Sequence, residues 1–197
     1  LRVAIKPFPA CHFTHAFADA TIALVTENNL TGEDIAEIVC LVPEQIIPVV
    51  CEPAAAKLTP KSDYDAKFSL PFVVGASATK HRFGLAELLP DALVDRGTLA
   101  VAERVRYEAD PTGTFPQHFC GEVILRTTDG RELRHREAIN RGAEERPLSK
   151  DDIEAKFMEN VELVTSRATA ERVLNSVLGL ADTKDAADAV NVWRGQD

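Results

Sequence analysis

Ten residues near the start of the chain, Lys6-Pro7-Phe8-Pro9-Ala10-Cys11-His12-Phe13-Thr14-His15, bring together one lysine, one cysteine and two histidines. A lysine and an imidazolium can hold a substrate carboxylate, and a histidine titrating near neutrality can move a proton. A capped helix with surface histidines would have the same composition, but Pro7 and Pro9 stiffen the approach and give the segment a defined course. Cys11, His12 and His15 are three potential zinc ligands. A structural zinc site needs four, and no second pair stands at a familiar spacing. A thiol at a helix start can be activated as a nucleophile, yet nothing marks the partners that acyl transfer requires. Further on, Lys67 and Phe72 either line a pocket or serve a core, and Lys80-His81-Arg82 reads as an exposed helix end.

The elements that must position these groups follow from the patterning. Residues 1 to 8 read as a short strand running into a proline-constrained loop. Phe13, Ala16, Phe17, Ala20, Ile22, Ala23 and Leu24 fall largely at helical spacing, with Thr14 or a neighbouring position as candidate cap and Asn28-Asn29 and Gly32 as the stop. This places Cys11, His12 and His15 at a helix N-terminus, where free N–H groups favour anions. Residues 35 to 42 are β-branched enough for a strand. A second helix is expected from Ser62 towards Thr79, with Pro71 kinking it or lying in its first turn. Gly75, Ala76, Ser77 and Ala78 permit close packing there. Shorter helical pieces cover 85 to 104, and 105 to 108 is a candidate strand. Residues 121 to 126 and 132 to 138 flank Thr127-Thr128-Asp129-Gly130, a strong hairpin marker. Ser149-Lys150-Asp151-Asp152 opens an amphipathic helix through Ile153, Phe157, Val161 and Val164. Helices at 169 to 178 and 185 to 193 follow. The expected class is α+β: helices packed on a small, largely antiparallel sheet with a hairpin, and a helical C-terminal segment.

Composition narrows the partners. With 22 Lys and Arg against 31 Asp and Glu, the formal charge is −9, and no dense basic block exists to neutralise nucleic-acid phosphates. The arginines 126, 131, 134, 136 and 141 are interleaved with acids, as on a solvated strand face. No apolar run approaches the ~20 residues of a membrane helix, and no glycine pattern supports a nucleotide loop. The four cysteines lack a C-x-x-C pair and read as reduced thiols, with a cytoplasmic location expected. The only methionine is Met158, so the chain reads as a piece of a longer protein.

The stretches K-P-F-P-A-C-H-F-T-H-A-F-A-D-A, Y-D-A-K-F-S-L-P-F-V-V-G-A and P-L-S-K-D-D-I-E-A-K-F, in that order, resemble motifs of the C-terminal half of the MmgE/PrpD family, and the resemblance extends over essentially the whole chain. It implies that residues 1–197 are a C-terminal α+β lid domain, with the active site between the lid and an N-terminal all-helical domain absent from this chain. It also implies a homodimer and no metal or other cofactor. Lys6 matches the family's substrate-facing lysine and His15 a histidine common in the family. Cys11 stands where the decarboxylase branch has a catalytic histidine, leaving His12 or His15 to take its place, and Phe72 stands where many members have a tyrosine.

The implied function is that of a lyase, 2-methylcitrate dehydratase-like, acting on a small di- or tricarboxylic acid and inactive without the helical domain. A decarboxylase or epimerase of the same family is the alternative within that class, and a non-catalytic dimerisation or interaction module the alternative outside it. The candidate catalytic residues are Lys6, His12 and His15, and the candidate substrate contacts Lys6, Cys11, Lys67 and Phe72.

Overall fold

The β-branched run 35–42 forms strand β1 (Ile35–Val42), a central strand of the sheet in the computed structural model, which describes residues 4–194. Strands β2 (Val105–Ala109), β3 (Gly121–Thr127) and β4 (Glu132–Glu137) complete it in the order β2-β1-β3-β4. β1 pairs with β2 in parallel and with β3 antiparallel, and β3 and β4 form the hairpin turning at Asp129-Gly130. A parallel pair demands a crossover. The chain supplies it through short helices α2 (Ile47–Val50), α3 (Ala54–Leu58), α4 (Asp63–Lys67), α5 (Leu70–Lys80), α6 (Pro90–Leu93) and α7 (Arg96–Ala102), while α1 (His15–Glu27) precedes β1. The fold is α+β.

Helix α5 is buried from Leu70 to Ala78 because it has apolar neighbours on two sides. Leu70, Val74 and Ala78, four residues apart, join Phe17, Leu24, Ile38, Cys40, Val123 and Leu125 in the core against the sheet. Phe72, Val73 and Ala76 turn the other way, into a second cluster with Phe8, Ala10, Ala18, Phe83 and Leu88. Fully burying a side chain such as Phe17, Ile38 or Leu125 contributes about 1.5–3 kcal/mol. Gly75 lets α7 approach: a Cβ there would lie 2.7 Å from the Thr98 carbonyl oxygen.

The structure departs from three local expectations. The helix expected from Ser62 to Thr79 is two helices, because Ser69 takes an extended backbone and starts α5 afresh, accepting the Phe72 amide on its hydroxyl, with Pro71 in the first turn where its missing N–H costs nothing. Thr14 stands at the N-cap of α1, but its side chain makes no capping hydrogen bond. A 3-10 turn over His12–Thr14 precedes the helix, Thr14 is already helical, and its hydroxyl donates back to the Cys11 carbonyl at 2.9 Å. The described part of the strand expected over residues 1–8 is irregular, tied by the Ile5 amide to the Gly142 carbonyl at 3.0 Å; residues 1–3 lie outside the described residues.

The chain divides into two compact units, Leu1–Pro147 and Leu148–Asp197. The second contains α8 (Lys150–Val161), α9 (Arg167–Leu178) and α10 (Ala186–Trp193), with α9 contacting both others. Ser149 and Asp152 form the expected capping box at α8. Among the described residues, no helix is long and apolar enough to cross a membrane.

Candidate functional site

The 6–12 loop is held at several points, and these fix where its chemistry faces. The Cys11 amide donates to the Lys67 carbonyl at 2.9 Å, docking the loop on the end of α4. At its middle, the Ala10 carbonyl accepts the Lys6 ammonium at 3.0 Å and the His15 Nε2–H at 3.2 Å. Phe8 is buried edge-on against the His15 ring, 5.4 Å between centroids. From outside, the Arg141 guanidinium lies 5.4 Å from the centre of the Phe8 ring and pairs with Asp19 of α1 at 3.0 Å.

The segment after β4 acts as the clamp. Asn140, Arg141 and Gly142 reach His12, Asp19 and Ile5 in turn. Gly142 has a φ of +91°, and a Cβ there would stand 1.9 Å from the Ile5 carbonyl oxygen, so this approach of two backbones requires glycine.

The candidate residues fall into two groups. Lys6 is exposed and Cys11 and His12 are half-buried on one edge of the unit. His15 and Phe72 are fully buried: His15 braces the loop through Ala10, and Phe72 packs in the second apolar cluster. Lys67 turns its ammonium back one helical turn onto Asp63 at 2.5 Å, and it is the Lys67 carbonyl that meets the loop.

Burial pushes the Cys11 thiol above its usual range, opposed by its hydrogen bond with the Phe13 backbone and by the Lys6 and Lys57 ammonium groups. It is a neutral thiol at neutral pH, suited to contact rather than attack. Burial and then the charge of Lys6 lower the pKa of His12, so its ring is neutral where a free histidine would begin to protonate. Among the described residues, no group of three or more His, Cys, Asp or Glu side chains is arranged to hold a metal ion.

Three site residues were not legible in the sequence. Lys57 donates to the Val49 and Phe68 carbonyls, each at 2.7 Å, and lies close enough to favour a Cys11 thiolate. It also lines a cleft of about 730 Å³ with Lys61, Tyr64, Asp65 and Phe68. Phe119 stacks on His12 at 4.3 Å between centroids, and Asn140 hydrogen-bonds the same ring at 2.9 Å. Only their distance in sequence from the loop hid them. The edge therefore offers ammonium groups near a neutral imidazole and a neutral thiol, an arrangement able to bind an anionic acid and stabilise charge on it.

Residues 8–181 match the family model described as the MmgE/PrpD C-terminal domain. Among curated proteins, the cis-aconitate decarboxylase of Mus musculus is 26% identical over 201 residues, and that of Homo sapiens 29% identical over 203. Each alignment covers 98% of this chain and 40% of the relative, so the chain spans well under half the length of these relatives. With the family model matching most of its residues, the chain belongs to the MmgE/PrpD family.

Proposed function

We propose that this chain is the lid half of a carboxylic-acid lyase, and that its 6–12 loop holds a carboxylate of a small di- or tricarboxylic acid. The observation that carries the reading is the convergence of Lys6, Cys11 and His12 on one edge, with Lys57 beside the thiol. An N-terminal helical domain supplies the remaining acid and base. In a dehydration, a base there takes the proton from the carbon next to a carboxylate, the electron pair forms the new double bond, and the hydroxyl leaves as water after protonation. Lys6 keeps the acid in place and offsets the charge that builds on it as the proton leaves.

Decarboxylation is the second reading, favoured by the likeness to two cis-aconitate decarboxylases. A C–C bond to a carboxyl group then breaks to release carbon dioxide, and the electron pair left behind is protonated. Both readings need the same cationic hold, so one variant tests it. In the complete polypeptide, Lys6→Met lowers kcat/KM by about 10- to 150-fold, the equivalent of losing one charge-assisted hydrogen bond. Wild-type kcat/KM in that variant overturns the assignment. Turnover of 2-methylcitrate against cis-aconitate, followed by water or carbon dioxide release, separates the two reactions.

A further inference from the structure

We propose that Asn140 is a positioning residue that holds His12 as a neutral imidazole with its proton on Nδ1, making His12 a hydrogen-bond donor to substrate rather than a base. Asn140 is 2% exposed, and its carboxamide has one permitted orientation. The Phe119 backbone N–H, which can only donate, points at Oδ1 at 3.2 Å. That leaves the Asn140 amide nitrogen facing His12 Nε2, at 2.9 Å. An amide N–H donates, so Nε2 must be bare, and a neutral ring then carries its proton on Nδ1. Phe119 stacks on the ring with 20° between planes and prevents it from turning over to exchange its nitrogens.

The surroundings act in the same direction. Protonating Nε2 would set N–H against N–H, and the Lys6 ammonium opposes a second positive charge. The other titratable neighbours do not reverse this. Cys11 is a neutral thiol, and the His15 ring, 4.9 Å away, spends its Nε2–H on Ala10. The two neighbouring histidines thus carry opposite tautomers. A neutral Nδ1–H donor can stabilise charge on a carboxylate oxygen while its own proton stays in place.

The catalytic part of this inference rests on the proposed carboxylate site; the tautomer does not. The chain labelled with 15N-histidine, observed above neutral pH by long-range proton–nitrogen correlation, gives the protonated nitrogen of each ring, with His12 assigned by its loss in His12→Gln. His12 is expected to be protonated at Nδ1 and His15 at Nε2. In Asn140→Asp, one carboxylate oxygen still accepts the Phe119 amide and the other faces His12, so the proton moves to Nε2 and the midpoint rises by about 1–3 pH units. An Nε2–H tautomer at His12 in the unaltered chain, which requires no variant to fold, overturns the inference. So does an unmoved midpoint in a folded Asn140→Asp chain. The stated tautomer in a complete polypeptide that turns over no carboxylic acid removes the carboxylate reading and leaves the hold of Asn140 on His12 standing.

Discussion

The Cys11 amide donates to the Lys67 carbonyl at 2.9 Å, while the Lys67 side chain points away to Asp63. The contact between the loop and α4 is therefore made by backbone, and the lysine charge is dispensable to it. Lys67→Met is expected to change unfolding free energy by less than about 0.5 kcal/mol, as for other exposed i,i+4 pairs. Cys11→Pro keeps the observed φ of −58° but removes the donor, and is expected to cost about 1–3 kcal/mol. Urea denaturation of the two variants checks the contrast; equal losses would show that the lysine side chain carries the contact.

Gly142 is the second place where backbone alone sets the site. Adding a methyl group there forces a positive φ on a residue with a Cβ and drives that Cβ into Ile5. Gly142→Ala is expected to cost roughly 2–4 kcal/mol in denaturant titration. Gly130 also has a positive φ, but its Cβ would meet nothing within 4 Å. Gly130→Ala should therefore cost less, about 1–2 kcal/mol, and equal losses would remove the argument from close approach.

The pH dependence of stability follows from His12. Its folded pKa is lowered by burial and by Lys6, so below the unfolded value of 6.5 the unfolded chain binds the proton more readily. The contribution is fully present above that value and is lost as pH falls through it towards the folded pKa. Denaturation midpoints measured from pH 7.5 down to 5.5 are expected to fall more steeply in the unaltered chain than in His12→Gln. Parallel slopes would show that His12 titrates as it does when unfolded.

The thiols provide an independent check on burial. Cys40, Cys51 and Cys120 are buried and Cys11 half-buried, and all four are free. Burial raises Cys40 strongly and Cys51 to about 12. In the native chain at pH 7.5, iodoacetamide is expected to label Cys11 first and more slowly than a free cysteine, and the others only on unfolding. Mass spectrometry of peptides reads the order; prompt labelling of Cys40 would contradict the packing of β1.

Much of the fold could be read along the chain. The β-branched run of β1, the Asp129-Gly130 turn and the Ser149 capping box are encoded within a few residues, where local sterics and hydrogen bonding act. The break at Ser69 was harder, since the apolar periodicity of residues 64–76 continues across it and only the extended backbone before Pro71 ends α4. At the site, Lys6, Cys11 and His12 were visible as a cluster. Phe72 was left between a pocket and a core, and that His15 turns inward was not visible, because spacing on a helix does not say which of two flanking layers a residue faces.

By itself, the sequence determined the α+β class, the stiff loop leading to a helix start, and the lysine, cysteine and histidines available there. Tertiary structure decided which of those groups remain at the edge and in what state. Asn140 lies 128 residues from His12, and Lys57, in the crossover between β1 and β2, comes close enough to act on the Cys11 thiol. Burial, a fixed amide and a neighbouring ammonium set the protonation of the ring. Those are properties of distances between segments, and the distances exist only once the β1–β2 crossover and the β3–β4 hairpin have packed around the loop.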